Sequence, residues 1–398
     1  MIPNYERLAT GRTKSIFYED MNESRDELSQ KIKGSRIAII GAAGSIGASV
    51  VKQVLHFEPG SLALFDLSEN NLVEVVRELR SSPEIKLPDC FSALAIGLGS
   101  KEFFHYFKTN QSFDYVLNLA AMKHVRSEKD IYSLSRLIDT NIRFVYEFLR
   151  DLPYDLKGFF SVSSDKAANP GNLMGASKNA MEQACFAFSS RHHCTSARFA
   201  NVAFSDGSLP YSFIKRWEKN QCLAAPSDVK RYFISHEEAG QLCVLATFLG
   251  KQGNVFIPRL EEGLNERTFS EIARGFLKLK GYSVSALDSE DAAKEAMINI
   301  VDKKEWPCFF VNSDTSGEKM FEEFVGNEEK ACSAKLHKVE IINRRLGSSE
   351  IAGLERFLEK TSQIFENSMN KEDVVALFRE LVPSLSHIER GKNLDQKM

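Results

Sequence analysis

Short apolar runs alternate with amphipathic stretches along the first half of the chain. Residues 36–40, 62–65, 113–119 and 156–160 are mostly apolar, and helical patterns such as SVVKQVLHF follow them. Short continuous apolar runs are typical of strands buried on both faces, and their alternation with helices is typical of a parallel sheet. We therefore predict an α/β fold with a doubly wound parallel sheet, a smaller α/β region and helices at the carboxyl end.

A glycine-rich turn, GAAGSIG, stands between the strand at 36–40 and the helical pattern after it. Gly41 allows a tight turn, Gly44 lets the backbone approach a pyrophosphate, and Gly47 allows close helix packing. Ser45 and Ile46 open the helix, where free N–H groups face phosphates. The order of strand, turn and helix predicts a dinucleotide site.

Asp66 ends the next apolar run. A carboxylate at this point accepts hydrogen bonds from ribose hydroxyls and repels a 2′-phosphate, so we expect NAD rather than NADP. The alternative role of Asp66 is to cap the following helical pattern, SENNLVEVVREL, and the two roles can coexist.

Composition narrows the class of protein. The 398 residues are 43% hydrophobic, with a net charge of -3, which argues against nucleic acid or an anionic membrane as the main partner. Seven scattered cysteines without C-x-x-C spacing predict neither a disulfide framework nor a metal site, and they fit a reducing cytoplasm. No apolar run approaches the roughly 18 to 20 residues of a membrane span, and no signal peptide is recognisable.

The string SVSSDKAANPGNLMGASK, residues 161–178, carries the candidate chemistry. It follows a predicted buried strand, so it lies where open α/β sheets bind their ligands. Asp165 and Lys166 place an acid beside an amine. Met174 and Lys178, four residues apart in a helix expected to begin near Leu173, share one helical face.

This string resembles the active-site pattern of the extended short-chain dehydrogenase/reductase family. In that family a serine or threonine precedes Tyr-x-x-x-Lys, whereas Met174 stands at the tyrosine position here. The longer string is similar to the nucleotide-sugar 4,6-dehydratases of bacterial surface polysaccharide biosynthesis, the CapD-like branch. The resemblance implies a Rossmann fold, tightly bound NAD that is recycled within each turnover, a substrate such as UDP-N-acetylglucosamine, and a homo-oligomer in the cytoplasm.

The resemblance also implies catalytic roles. Lys166 would take the C5 proton of the sugar and Asp165 would protonate the departing C6 hydroxyl, while Ser164 would bond the C4 oxygen. Lys178 would hold the nicotinamide ribose. An adjacent acid and amine stabilise each other's charged forms and burial opposes this, so we treat them as a pair that shares one proton. The alternative is a structural ion pair.

Met174 cannot ionise, so the group that deprotonates the 4-hydroxyl stays open between Asp165, Lys166 and an ordered water. Beyond the predicted strand at 113–119, the small residues Ala120 and Ala121 would let the cofactor pass close to the backbone. Lys123 and His124, in a segment that also resembles this branch, would line the sugar-nucleotide pocket or belong to a solvated loop.

Four further residues are implied as substrate ligands by the resemblance: Asn201, Ser208, Arg231 and Glu318. Arg231 also has the alternative of a surface salt bridge. The sequence departs from the family in two places. Leu98 stands where an aspartate would contact adenine, and Thr315 and Ser316 replace an arginine and a proline. Both departures bear on ligand identity.

The resemblance covers about residues 35–385 and suggests four regions. These are a strap or tail at 1–34, an NAD-binding region at 35–205, a substrate-binding region at 206–335 and a helical extension at 336–398. Two other functions stay open: a nucleotide-sugar 4-epimerase or ketoreductase on the same fold, and a non-catalytic regulator that binds a sugar nucleotide.

Overall fold

A largely parallel sheet forms the centre of the computed structural model, which describes residues 4–110, 112–259, 266–298, 304–313 and 322–387. The sheet has nine strands in those ranges: seven consecutive strands run parallel to one another through six parallel pairs, and the two strands at one edge are joined by two antiparallel pairs. In spatial order the strands are β15 (Ala331–Ser333), β16 (Val339–Asn343), β11 (Asn254–Pro258), β6 (Cys194–Ala197), β5 (Gly158–Val162), β4 (Tyr115–Asn118), β1 (Arg36–Ile40), β2 (Ser61–Phe65) and β3 (Cys90–Leu94).

The sheet confirms the predicted fold class. Strand order reverses between β1 and β4, and ligands bind at the carboxyl ends of strands around such a switch point. All residues of β4 and β5 are buried, which explains their continuously apolar sequences.

Helices cover both faces of the sheet. The helices are α1 (Asn4–Thr10), α2 (Tyr18–Glu23), α3 (Arg25–Ile32), α4 (Ser45–Leu55), α5 (Glu69–Ser81), α6 (Lys101–Thr109), α7 (Ile131–Ile138), α8 (Phe144–Asp151), α9 (Leu173–Phe186), α10 (Leu209–Glu218), α11 (His236–Leu249), α12 (Phe269–Leu279), α13 (Glu290–Ala296), α14 (Ser348–Ser362) and α15 (Lys371–Leu381). Within the described ranges, no helix has both the length and the apolar character to cross a bilayer.

Helix α9, which begins at Leu173 as predicted, is buried over its entire length. It packs on β5 and β6, and α14 and α15 lie against its outer side. The helix ends at Phe186. Ser189 bonds back to the Phe186 carbonyl oxygen, and serine hydroxyls compete with helical hydrogen bonding in this way.

A second, smaller core lies beside the sheet. It joins buried side chains such as Phe213, Phe276 and Trp306, and Ala9 of α1 belongs to it. The strands around it are β7 (Asn201–Val202) with β10 (Phe233–Ile234), β9 (Lys230–Arg231) with β12 (Arg267–Thr268), and β8 (Leu223–Pro226) with β14 (Glu305–Val311) and β13 (Ser283–Leu287). The domain boundaries proposed from the sequence stay a prediction.

The amino-terminal helices are tied to the later chain. The guanidinium group of Arg12 donates two hydrogen bonds to the carboxylate of Glu238, at 2.7 and 3.0 Å, and one to the Phe233 carbonyl oxygen at 2.9 Å. Glu238 is fully buried, so Arg12 neutralises a carboxylate inside the molecule. Whether residues 1–34 also reach a partner subunit stays a prediction.

Candidate active site

The glycine turn after β1 leaves room for a dinucleotide. Gly41 has a φ of 74°, and a Cβ atom there would lie 2.6 Å from the Ala120 nitrogen, so only glycine permits this contact between the two turns. No side chain caps α4, whose N-cap is Gly44. Uncapped N–H groups in the first turn, where Ser45 and Ile46 lie, suit a phosphate.

Asp66 supports this turn directly. Its Oδ2 accepts a hydrogen bond from the Ala43 N–H at 2.9 Å, and its Oδ1 accepts one from the Ser68 N–H at 2.8 Å. The alternative that Asp66 caps α5 is wrong, because Ser68 accepts the capping bond from Asn71. A carboxylate has about four acceptor positions, so ribose hydroxyls can still bind Asp66. Asp66 and the glycine turn that it supports therefore fit the adenosine part of NAD.

Asp165 and Lys166 form an ion pair immediately beyond β5. Lys166 Nζ lies 3.1 and 3.0 Å from the two carboxylate oxygens of Asp165. Ser164 precedes this 3₁₀ turn, and its hydroxyl oxygen accepts a hydrogen bond from the Lys166 N–H at 3.1 Å. The Ser164 hydroxyl proton therefore remains available to another acceptor.

The charge state of Lys166 follows from its neighbours. Burial lowers the pKa of Lys166, but the negative charges of Asp165 and Glu322 outweigh it, so the pKa is raised overall. The side chain is 37% exposed and that of Asp165 only 8%. Lys166 therefore rests as an ammonium group in contact with the carboxyl group of Asp165.

Lys178 and Met174 occupy different environments. Lys178 Nζ donates to the Val162 carbonyl oxygen at 2.8 Å, and burial lowers its pKa to about 8. The Met174 side chain is buried in the main core, and its N–H donates to Glu128 Oε1 at 2.7 Å. Glu128 was not anticipated, because nothing in the sequence brings residue 128 to the start of α9.

The segment after β4 meets the loop after β7. Lys123 and His124 are exposed, yet partial desolvation lowers the pKa of both, and Asp206 opposes this for Lys123. The Asp206 N–H donates to Ser45 Oγ at 2.8 Å, and a Cβ atom on Gly207 would lie 2.7 Å from His124 Nε2. The cofactor turn and the predicted sugar-nucleotide residues therefore lie against the same loop, which carries Asp206 and Gly207.

The other predicted substrate ligands are placed as follows. Asn201 donates to Glu322 Oε1 at 2.5 Å, and the Ser208 hydroxyl oxygen caps α10. Arg231 is buried rather than on the surface. Glu318 lies outside the described residues. Their contacts with substrate stay a prediction.

Two arginines, the buried Arg198 and the partly buried Arg344, fix the helix that carries Lys178. The Glu182 carboxylate on α9 accepts hydrogen bonds from Arg198 at 2.7 and 2.8 Å and from Ser163 at 2.6 Å. Arg344 donates to the same carboxylate at 2.6 Å. Because these charges hold the pKa of Glu182 at about 2, the carboxylate stays ionised and holds α9 against the end of β5.

A family model described as "Polysaccharide biosynthesis protein" matches residues 37–344, which is more than half of the chain. The chain belongs to this polysaccharide biosynthesis protein family. Membership agrees with the CapD-like branch that the string at 161–178 resembles, while the role of Met174 stays a prediction.

Three relatives illustrate the proteins to which this chain is similar. The probable polysaccharide biosynthesis protein EpsC of Bacillus subtilis (strain 168) is 27% identical over 323 residues, 79% of this chain and 49% of that protein. The UDP-N-acetylglucosamine 4,6-dehydratase (inverting) of Campylobacter jejuni (strain 81-176) is 27% identical over 57% of this chain and 67% of that protein. The UDP-glucose 4-epimerase of Rickettsia bellii (strain OSU 85-389) is 26% identical over 56% of this chain and 65% of that protein. The chain spans about half the length of EpsC.

Among solved structures, Pen from Bacillus thuringiensis has the same fold. The TM-score is 0.61 at 21% sequence identity, and the match covers 82% of this chain and 98% of Pen. At this identity the likeness concerns the fold.

Proposed function

We propose that this protein is an NAD-dependent nucleotide-sugar 4,6-dehydratase that acts on UDP-N-acetylglucosamine for surface polysaccharide biosynthesis. The observation that carries the proposal is the Asp165–Lys166 ion pair at the carboxyl end of β5, close to the buried Lys178. Family membership and the Campylobacter jejuni relative support the substrate class.

The proposed reaction needs one base and one acid in contact. When bound, NAD would supply the acceptor for the C4 hydride of the sugar and the donor that returns it to C6. The C4 ketone acidifies the C5–H bond, whose proton passes to Lys166 after that amine has given its own proton to Asp165. Asp165 then protonates the C6 hydroxyl, the C6–O bond breaks, a C5–C6 double bond forms and water leaves. After water leaves, the pair holds the protons it began with. Addition of the hydride at C6 then requires a proton at C5, and the proton released from the 4-hydroxyl during oxidation balances it.

Ser164 and Lys178 support the C4 oxygen in this scheme. The Ser164 hydroxyl has its proton free to donate to that oxygen, because its own oxygen is engaged as an acceptor. Lys178 binds the nicotinamide ribose, and its ammonium group stabilises negative charge that develops at O4. Met174 supplies no base, so Asp165, Lys166 or an ordered water takes the 4-hydroxyl proton.

The remaining predicted ligands bind the rest of the substrate in this proposal. The small side chains of Ala120 and Ala121 let the cofactor lie close to the backbone, while Lys123 and His124 face the sugar nucleotide. The diphosphate and nucleoside contact a set on later elements: Asn201, Ser208, Arg231 and Glu318. Tight retention of NAD and a homo-oligomeric state belong to the same proposal.

Mass spectrometry of the product tests the reaction. Purified protein is incubated with UDP-, GDP- and dTDP-linked sugars, and we expect UDP-N-acetylglucosamine to lose the mass of one water. Lys166→Ala should abolish this product and leave bound NAD in place. Lys157→Ala, at the opposite end of β5, is the matched control and should turn over normally. Water loss at the unaltered rate in Lys166→Ala would exclude the proposed base.

A second candidate is 4-epimerisation, which the Rickettsia bellii relative favours. It uses the same hydride transfer at C4 without loss of water, so the product keeps the substrate's mass and changes its configuration. Protein that carries no NAD and converts no sugar nucleotide would instead favour a non-catalytic regulator.

A further inference from the structure

Two arginines face each other on the short strands beside the candidate site. β9 and β12 pair antiparallel, and their register places Arg231 directly opposite Arg267. Directly opposite residues of an antiparallel pair point to the same face, with Cβ atoms about 5 Å apart. The backbone therefore brings two guanidinium groups to one face, and the proposed chemistry gives Arg267 no role.

This pairing is unfavourable unless an anion lies between the two side chains. Like charges directly opposite each other destabilise a strand pair, and these strands of two residues each have few ladder hydrogen bonds to offset the repulsion. Among the described residues, no carboxylate forms an ion pair with Arg267. The nearby Glu271 carboxylate is engaged in the cap of α12, where it accepts from the Thr268 N–H at 2.8 Å.

The arginine pair lies next to the residues assigned to the sugar. Arg231 is buried, and the following residue, Tyr232, donates its N–H to Glu322 Oε2 at 3.0 Å. Burial and the positive charge of Arg231 both act to lower the pKa of Lys166, against the stronger effect of the acidic neighbours. Arg231 is therefore close enough to the proposed base for their charges to interact.

The chemistry of the pair selects a particular class of anion. A guanidinium group is a planar fork that binds phosphate oxygens with two parallel hydrogen bonds. A diphosphate has two charged phosphoryl groups joined by one bridging oxygen, so each arginine can bind one of them. Its negative charge also removes the repulsion between the two guanidinium groups.

We propose that Arg267 is a substrate ligand that binds the diphosphate of a nucleotide sugar together with Arg231. The identity of the diphosphate as part of a sugar nucleotide rests on the proposed function, whereas the anion site follows from the strand register. Arg267 then contributes to the selection of substrates that carry a diphosphate, although it lies on a different strand from the other predicted ligands.

Isothermal titration calorimetry with UDP and with inorganic pyrophosphate tests the site without turnover. Arg267→Ala should bind both ligands at least about tenfold more weakly than wild type, because charge-assisted hydrogen bonds to phosphoryl oxygens are lost. Arg267→Lys keeps the charge without the planar fork, so its affinity should lie between the two. Unchanged affinity in Arg267→Ala would overturn the inference.

Lys230→Ala is the matched control for these titrations. Lys230 is exposed and directly precedes Arg231 in β9, so it carries the same charge on the opposite face of the strand. We expect Lys230→Ala to bind both ligands as wild type does. An equal loss of affinity in Lys230→Ala and Arg267→Ala would indicate a general effect of surface charge and would overturn the paired site.

Urea unfolding separates a ligand role of Arg267 from a structural role. Without ligand, Arg267→Ala should be at least as stable as wild type, because removal of one of two like charges relieves their repulsion. Pyrophosphate at one concentration should raise the urea midpoint of wild type more than that of the variant. A ligand-free variant that unfolds at lower urea than wild type would contradict the proposal.

Steady-state kinetics with UDP-N-acetylglucosamine distinguishes this inference from the proposed function. Arg267→Ala should raise KM about tenfold and leave kcat nearly unchanged, because the diphosphate is bound alike in the ground state and the transition state. Turnover with an unaltered KM in this variant would refute the role of Arg267 and leave the proposed function intact. Wild type that binds UDP and pyrophosphate through Arg267 but releases no water would refute the proposed function and leave the anion site intact.

Discussion

Replacing Lys178 with methionine should stabilise the fold while it removes activity. The ammonium group of Lys178 is buried at the end of β5, where it donates a hydrogen bond of 2.8 Å to the Val162 carbonyl oxygen. Burial penalises this charge, which is why the pKa falls to about 8. Methionine keeps most of the apolar stem and carries no charge, so Lys178→Met removes the penalty.

The size of the effect follows from the pKa. The ordinary lysine value is about 10.4, and each pKa unit corresponds to about 1.4 kcal/mol, so the buried ammonium costs roughly 3 kcal/mol at neutral pH. Loss of the hydrogen bond to Val162 costs about 1 kcal/mol. We therefore expect Lys178→Met to be more stable than wild type by about 2 kcal/mol.

The pH dependence gives this prediction a second check. The unfolded chain binds more protons at residue 178 between about pH 8 and pH 10.4, so wild-type stability should rise over that window. The advantage of Lys178→Met should accordingly shrink to near zero by about pH 9.5.

Urea unfolding followed by circular dichroism measures both effects, with NAD removed from both proteins because a ligand stabilises the state that binds it. The control is Lys101→Met on the exposed surface, where we expect a change within about 0.5 kcal/mol. A Lys178→Met protein that is less stable than wild type at pH 7 would refute the claim that burial of the Lys178 ammonium group destabilises the fold.

Three further substitutions test other parts of the structure. Arg12→Ala leaves the buried carboxylate of Glu238 without its partner and should cost roughly 3–5 kcal/mol in urea unfolding, and a loss below about 1 kcal/mol contradicts the pairing. Gly175→Ala drives a methyl group into the Lys166 carbonyl oxygen, so turnover should fall while circular dichroism stays unchanged, and full turnover would argue against the turn geometry. Asp66→Asn should reduce the preference for NAD over NADP by about tenfold in calorimetry, and an unchanged ratio removes Asp66 from the ribose site.

The parts of the site that the sequence could predict depend on neighbours in the chain. The strand at 36–40 and the glycine turn after it form within a dozen residues, and the structure has both. Asp165 and Lys166 are adjacent, so their contact needs only the local 3₁₀ turn. The start of α9 at Leu173 follows from Asn172, whose side chain caps the helix by accepting from Gly175.

The missed features depend on contacts between distant parts of the chain. Glu322 meets Asn201 and the site only through tertiary folding, and β7 and β10 are two residues long, too short for any periodicity. The pairing of Asp206 with Ser45 is of the same kind. Local sequence patterns do not show which distant residues will come into contact. The roles of the predicted ligands therefore need experimental tests.

The central claim is that Asp165 and Lys166 exchange a proton to expel water from a hexose after oxidation at C4. The most direct measurement uses UDP-N-acetylglucosamine with deuterium at C4 and reads the product by mass spectrometry and NMR. The account predicts loss of one water, with the deuterium moved to C6 of the same molecule, and no water loss in Lys166→Ala. A product that retains its C6 hydroxyl, or unaltered water loss in that variant, would contradict it.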